Sequence, residues 1–341
     1  MAFLDYNVHA SSICFLGAIA DILIYYGSNI KESLLFGCSN GLRFRLKYNE
    51  KEPIESLWVE CINFNHEDYN RLQKCISEYG YQLRDAAYND GQELFSRLKE
   101  ALDMGLPVMV SVDMYNLPYH NYYKRTHFDH IIVVHGIDEI NRNVCIADCC
   151  TSNINKPCYT GVMEWSDFLY ALSSDTEKKI WYIKKQDSNG NICSETFTPD
   201  AGNLTYMLPG MEEQGWNSCG IRAIEKLAEI YSHVSTVEMT DRIKELLRFH
   251  YCFLTGFGGP AVTRKLFANY LEDEAAEGLK QFAAESLELS NKWLLYSKNI
   301  MRAIIYEDMS ILKKFLEKLK ILEEKEESFS RGLLENAKHW K

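Results

Sequence analysis

The chain has 341 residues, 46% of them hydrophobic and 25% charged, with 37 Lys and Arg against 48 Asp and Glu for a net charge of −11. That is ordinary globular composition with room for one large domain or two ordinary ones, and the acidic balance argues against a nucleic-acid scaffold, which carries a basic face. No apolar run reaches the about 18 residues a membrane span needs, and the start MAFLDYNVHASS has no basic stretch followed by an apolar leader.

The first element is a helix over residues 14–26, with apolar residues at Phe15, Leu16, Ile19, Ile22, Leu23 and Tyr26 and a stop at Gly27. A short helix or turn near Lys31–Phe36 leads into GLRFRLKY, where Leu42, Phe44, Leu46 and Tyr48 alternate as in a half-buried strand. Residues 66–79 and 91–104 have the spacing of amphipathic helices, closed by Gly80 and Gly105. LPVMVSVDM is a buried strand, HIIVVHGID and NVCIADC are two paired strands turning at Glu139–Asn143, and KIWYIKK is another. Residues 186–204 are polar and rich in Gly, Asn and Ser, as in a linker. Everything after Gly220 has helical periodicity, punctuated by TGFGGP at 255–260. A helix followed by a mostly antiparallel sheet is an α+β arrangement.

Three residues carry chemistry in this frame. Cys14 opens the first helix, where partial positive charge stabilises a thiolate and the first-turn N–H groups can hold an oxyanion. A free Cys at such a place is also a common small buried hydrophobe. His130 opens one strand and Asp148 closes the next, so antiparallel pairing sets the two side by side, with the carboxylate orienting the imidazole. A lone His at a strand end also serves as a hydrogen-bonded edge residue. His127, Asp129 and His135 stand at odd separations from His130, and strand alternation turns them away from it. A nucleophile, a base and an orienting carboxylate in that order are the parts of an acyl-transferring cysteine enzyme.

Residues 14–48 carry Cys14 on a helix ending in Tyr25-Tyr26-Gly27, then Glu32, Phe36-Gly37, Gly41 and Phe44. In these features the chain resembles the butirosin biosynthesis protein H family. DHIIVVHGID and VCIAD resemble that family's His and Asp strands, shared more widely with papain-like C39 peptidases. GFGGPAVTRKLFANYLEDEA and Trp293 resemble its helical C-terminal region. The resemblance covers most of the chain, through loose motifs. It implies a papain-like cysteine-peptidase fold and transfer of an acyl or aminoacyl group from an acyl carrier protein to an amine such as an aminoglycoside. It also implies Cys14, His130 and Asp148 as the catalytic set. The chain departs from papain-like enzymes where an oxyanion-donating Gln is usual: that position is Val8, flanked by Asn7 and His9. Ile13 precedes the Cys where many relatives carry a His. Asn7 is the candidate replacement for the missing amide, and His9 either stands in for the missing His or caps the helix entry.

Other signals compete. Gln214 and Cys219 in EEQGWNSCGIRAI mimic a papain-like start, but His233 and His250 fall in helical surroundings, so Cys219 reads as packing or loop. Cys145, Cys149, Cys150 and Cys158 lack a clean C-x-x-C pair, and no metal is expected. TGFGGP lacks the Lys-Ser/Thr of a P-loop, and a lid or plain interhelical turn fits it better than an anion site. Tyr115, Tyr119, His120, Tyr122 and Tyr123 crowd the loop before His130, either as a surface loop or to bind substrate, with Tyr119 and Tyr123 the candidates. Lys and Glu near 313–327 form a solvated helix face or a dimer contact.

The resulting expectation is a papain-like catalytic domain over 1–186, a linker over 187–219 and a helical domain over 220–341. Acyl transfer through a cysteine needs no cofactor; the partners are an acyl carrier protein and a small amine, with a homodimer through the C-terminal helices. The alternatives are a cysteine peptidase or amidase, and a non-catalytic binding module of the same fold. Eleven cysteines, an odd number without a disulfide pattern, point to a reducing cytoplasm.

Overall fold

The computed structural model describes residues 2–39, 42–62, 66–153, 155–172, 178–186, 207, 214–273 and 277–337. The protein is α+β, with antiparallel sheets and helices throughout. It divides into two compact units, Met1–Leu35 with Leu72–Ser194, and Phe36–Arg71 with Glu195–Lys341. Sequence alone draws a domain over 1–186, a linker over 187–219 and a helical domain over 220–341, whereas here residues 36–71 also cluster with the C-terminal helices. Most of the expected linker, 187–206 and 208–213, lies outside the described residues.

The first unit is built on a sheet in the order β4 (Tyr81–Ala87), β9 (Lys179–Lys185), β5 (Val108–Asp113), β6 (Asp129–Asp138), β7 (Asn143–Asp148) and β8 (Tyr159–Glu164), with β1 (Ala2–Phe3) added to β6 at Gly136 and Ile137. Every pairing is antiparallel. The register sets Val112 opposite His130, Val110 opposite Ile132 and Val108 opposite Val134. Strand alternation therefore gives His130 the same face as Ile132 and Val134. β7 continues that face through Val144 and Ile146 to Asp148, across a β-bulge at His135.

The core on this face joins Val108, Val110, Val112, Ile132, Val134, Val144 and Ile146 to Leu94, Leu98, Ala101 and Leu102 of α4 (Gly91–Asp103) and Phe168 of α5 (Trp165–Ala171). Helix α4 forms because Leu94, Leu98, Ala101 and Leu102 fall on one stripe and the Asp90 side chain caps it, accepting from Gln92 and Glu93 N–H. Helix α1 (Cys14–Tyr25) lies against β6 and β9, and Phe15 packs edge-on to Trp181 with ring centroids 6.0 Å apart. Every residue from Phe15 to Leu23 is buried, so α1 is a core helix rather than an amphipathic surface one.

The second unit pairs β10 (Ser218–Cys219) with β2 (Arg45–Lys47) and β2 with β3 (Trp58–Glu60). Its helices are α6 (Gly220–Val234), α7 (Asp241–Thr255), α8 (Pro260–Asp273), the short α9 (Glu277–Lys280), α10 (Ala283–Tyr306) and α11 (Ser310–Ala337). Helix α10 is central, touching α7, α8 and α11. Its Trp293 stacks on Phe44 and donates to Glu326 at 2.6 Å, and Glu326 is paired with the equally buried Arg264. The Cys219 side chain is buried in this unit at the start of α6. TGFGGP is an interhelical turn between α7 and α8; a Cβ on Gly259 would lie 1.6 Å from the Phe253 carbonyl oxygen, so only glycine fits. Among the described residues, no helix is long and apolar enough to cross a membrane.

Candidate active site

Cys14 is the first residue of α1 and is half-buried, preceded by Ile13 in extended conformation. The first N–H groups of a helix have no intrahelical acceptor, and the Cys14 N–H lies in the turn that carries the thiol. His130 and Asp148 are almost wholly buried, at 1% and 0% exposure. His130 Nε2 lies 2.9 Å from Asp148 Oδ2, although the N–H is not aligned for a straight hydrogen bond, so charge carries much of this contact. The Cys14 sulfur lies near enough to the His130 ring to act on its charge. The structure thus places His130 against Asp148 and beside the Cys14 sulfur.

Burial works against a charged His130, but the Asp148 carboxylate and the Cys14 sulfur outweigh it and raise the imidazole to about 10. Burial likewise opposes ionisation of Asp148, and His130 with the Cys150 N–H (2.8 Å to Oδ1) holds its carboxyl below the ordinary range. Asp148 thus favours the protonated form of His130, the form the imidazole has once it holds a proton taken from Cys14.

The flanking residues sort differently from expectation. Tyr119 stacks on Tyr159 with centroids 3.8 Å apart, and its buried hydroxyl lies by Asp148. Burial and the Asp148 charge push that phenol well up, so it stays a proton donor. Tyr123 is 39% exposed and packs near Lys124. Asn7 is exposed, and His9 is turned to Asp21, with Nδ1 2.8 Å from Oδ1. Among the described contacts, none of Asn7, His9 and Tyr123 touches Cys14, His130 or Asp148. His9 contacts the buried Asp21 carboxylate through both its backbone N–H and its ring. His127 and His135 are directed elsewhere, to Asp113 at 2.6 Å and onto Tyr6 with centroids 5.6 Å apart.

Two residues near Cys14, His130 and Asp148 have no role assigned by sequence. His120 is 3% exposed with its ring 5.1 Å from that of His130; its Nε2 lies 3.4 Å from the Cys150 carbonyl, and Nδ1 accepts from Tyr122 N–H. Burial and the His130 charge lower it to about 4, so it sits neutral beside the charged pair. Its crowding into an aromatic loop before His130 was the available signal. The other residue is Glu32, whose side chain reaches the turn before Cys14. Among the described residues, His120, His130 and Asp148 also form a cluster with metal-ligand spacing, within 4.8 Å of one another. Both His120 nitrogens already have protein partners. Cys145, Cys149, Cys150 and Cys158 form no such group among the described residues.

A thiol opening a helix, against a buried imidazole and carboxylate on an antiparallel sheet, defines an α+β protein with a Cys–His–Asp site. Residues 13–149 match the family model described as butirosin biosynthesis protein H, N-terminal, a span running from Ile13 beside Cys14 to the residue after Asp148. No curated protein matches the chain.

Proposed function

We propose that this protein is a cysteine acyltransferase of natural-product, antibiotic-type biosynthesis, with a papain-like arrangement of its first unit. The observation that carries the reading is His130, buried between Asp148 at 2.9 Å and the Cys14 thiol. The match to a family named for butirosin biosynthesis supports the biosynthetic setting. The donor is a thioester on the phosphopantetheine arm of an acyl carrier protein, and the acceptor is a small amine of the aminoglycoside kind. The free thiols among the described cysteines accord with work in a reducing cytoplasm.

In this reading Cys14 gives its proton to His130, and its sulfur attacks the thioester carbonyl. The Cys14 N–H and its neighbours in the first turn stabilise the oxyanion. The carbon–sulfur bond to pantetheine breaks, and that thiol leaves with the proton from His130. The amine then attacks the acyl-Cys14, His130 takes the amine proton, and the Cys14 sulfur departs as the amide forms. Asp148 keeps the imidazole oriented through these steps and stabilises the imidazolium each time His130 takes up a proton.

The test is mass spectrometry of the intact protein after incubation with acyl-pantetheine thioesters. An acyl adduct on Cys14 that is absent in Cys14→Ala and discharged by amines faster than by water supports transfer. Discharge by water alone points to a peptidase or amidase. An absence of adduct with every thioester tried overturns the enzyme reading.

A further inference from the structure

Helix α1 begins without a cap of its own. Ile13 is the N-cap residue, and its apolar side chain accepts no hydrogen bond, although a helix start normally recruits a side-chain oxygen for its free N–H groups. The acceptor comes instead from Glu32, the first residue of α2 (Glu32–Cys38). Its Oε1 accepts from Ser12 N–H at 3.0 Å and from Ile13 N–H at 2.7 Å, and its Oε2 lies 3.1 Å from Ser12 N. The same turn is held from its other side by the residues after Asp148. Ser11 N–H donates to the Cys149 carbonyl at 2.8 Å, and Cys150 Sγ approaches the Ser12 carbonyl at 3.7 Å. The two residues before the nucleophile are therefore clamped between a carboxylate and the end of the strand that carries Asp148.

We propose that Glu32 is the positioning residue of Cys14: its carboxylate takes up the Ser12 and Ile13 N–H groups, fixes the thiol against His130, and leaves the Cys14 N–H free to face a reacting carbonyl. This rests on Cys14 as the nucleophile of the reading above. The carboxyl is mostly buried, and that burial raises it to about 7 against the opposing pull of its two N–H donors. The ionisable groups facing it are Asp21 of α1, which raises it further, and the Cys150 thiol after β7. As pH falls through about 7 the carboxyl gains a proton, one oxygen becomes a donor, and its hold on the two N–H groups weakens.

The experiment follows alkylation of individual cysteines by iodoacetamide in the full-length protein, by peptide mass spectrometry from pH 5.5 to 9, for wild type, Glu32→Gln and Glu32→Asp. The half-exposed Cys158 in the same unit is the internal control. At pH 7.5 Cys14 is expected to react about tenfold more slowly in both variants, with Cys158 unchanged. The wild-type Cys14 profile should carry a step near pH 7 that Glu32→Gln lacks. An unchanged Cys14 rate overturns the proposal, as does a faster one, which would make charge repulsion the dominant effect. Parallel changes at Cys14 and Cys158, with no step in the wild-type profile, reduce Glu32 to a fold-holding residue and overturn it too. Should the wild type form no acyl adduct with thioesters, acyl transfer fails while the alkylation rates still decide the role of Glu32.

Discussion

At 1% exposure, an isolated His130 would stay neutral at pH 7, because burial penalises its charged form. The Asp148 carboxylate, itself fully buried, reverses that balance and keeps a positive charge against Cys14. Asp148→Asn removes the counter-charge and leaves burial to dominate. Each pKa unit by which the imidazolium weakens is worth tenfold in its population above that pKa. Alkylation of Cys14 at pH 7 is therefore expected to fall by about tenfold or more in Asp148→Asn, and a rate equal to wild type would remove Asp148 from the site. Glu32 poses the opposite problem, a carboxyl raised from 4.5 to about 7. The folded state holds its proton where the unfolded chain has lost it, so this contribution to stability is full below about 4.5 and gone above about 7. The loss is about 3 kcal/mol. Urea midpoints should show wild type losing ground to Glu32→Gln between pH 5 and pH 8. A gap that does not move with pH would mean that Glu32 titrates alike in the folded and unfolded protein and is already ionised in the folded state at pH 5.

The elements that carry the triad are also those most legible in sequence, and for a physical reason. Strands β6 and β7 are joined by a short turn, so the pairing of Val133 with Ala147 and Ile137 with Val144 is local, and it brings His130 and Asp148 together. Strand β4 was not legible because only Tyr81 and Leu83 alternate as buried residues before the pattern runs out. The membership of residues 36–71 was hidden too. It involves two residues of β10, Ser218 and Cys219, meeting Leu46 and Arg45 across a long sequence separation. Glu32 left no local capping motif because its partners are 19 and 20 residues back. Tyr119 read as a substrate aromatic because a loop sequence does not show that its hydroxyl is buried at Asp148. Close packing of α1 on the end of β7 was equally silent in sequence, and it depends on Gly17. A Cβ there would lie 1.8 Å from Ser11 Oγ and 2.8 Å from Cys149 Sγ, so Gly17→Ala must push α1 away from the residues that follow Asp148. The expected cost is about 1–3 kcal/mol in urea unfolding, with a fall in Cys14 alkylation larger than any at Cys158. Full retention of both stability and Cys14 reactivity would mean that the turn yields without moving Cys14.

Among the described residues, each unit holds a deeply buried neutral histidine, and both contribute to how the protein responds to acid. In the first unit His120 is lowered to about 4 by burial and by the charge on His130. In the second, His250 is lowered to about 4 by burial alone, with the Tyr231 hydroxyl 3.2 Å from its Nδ1. A base whose folded pKa is depressed binds fewer protons folded than unfolded between about 4 and the unperturbed 6.5. Its contribution is intact above pH 6.5 and is lost as the pH falls toward 4, at about 3 kcal/mol for each histidine. The two differ in surroundings. Protonating His120 places a second charge near the His130 imidazolium, with Asp148 offsetting part of it, whereas protonating His250 charges a site where Tyr231 is its one described side-chain hydrogen-bond partner. His250→Gln keeps an amide able to accept from Tyr231 and removes the titration. Its urea midpoint should therefore drop less than that of wild type between pH 7 and pH 4.5, even if it starts lower at pH 7. Parallel midpoint curves for wild type and His250→Gln over that interval would show that His250 is not the group linking acid to the loss of the second unit.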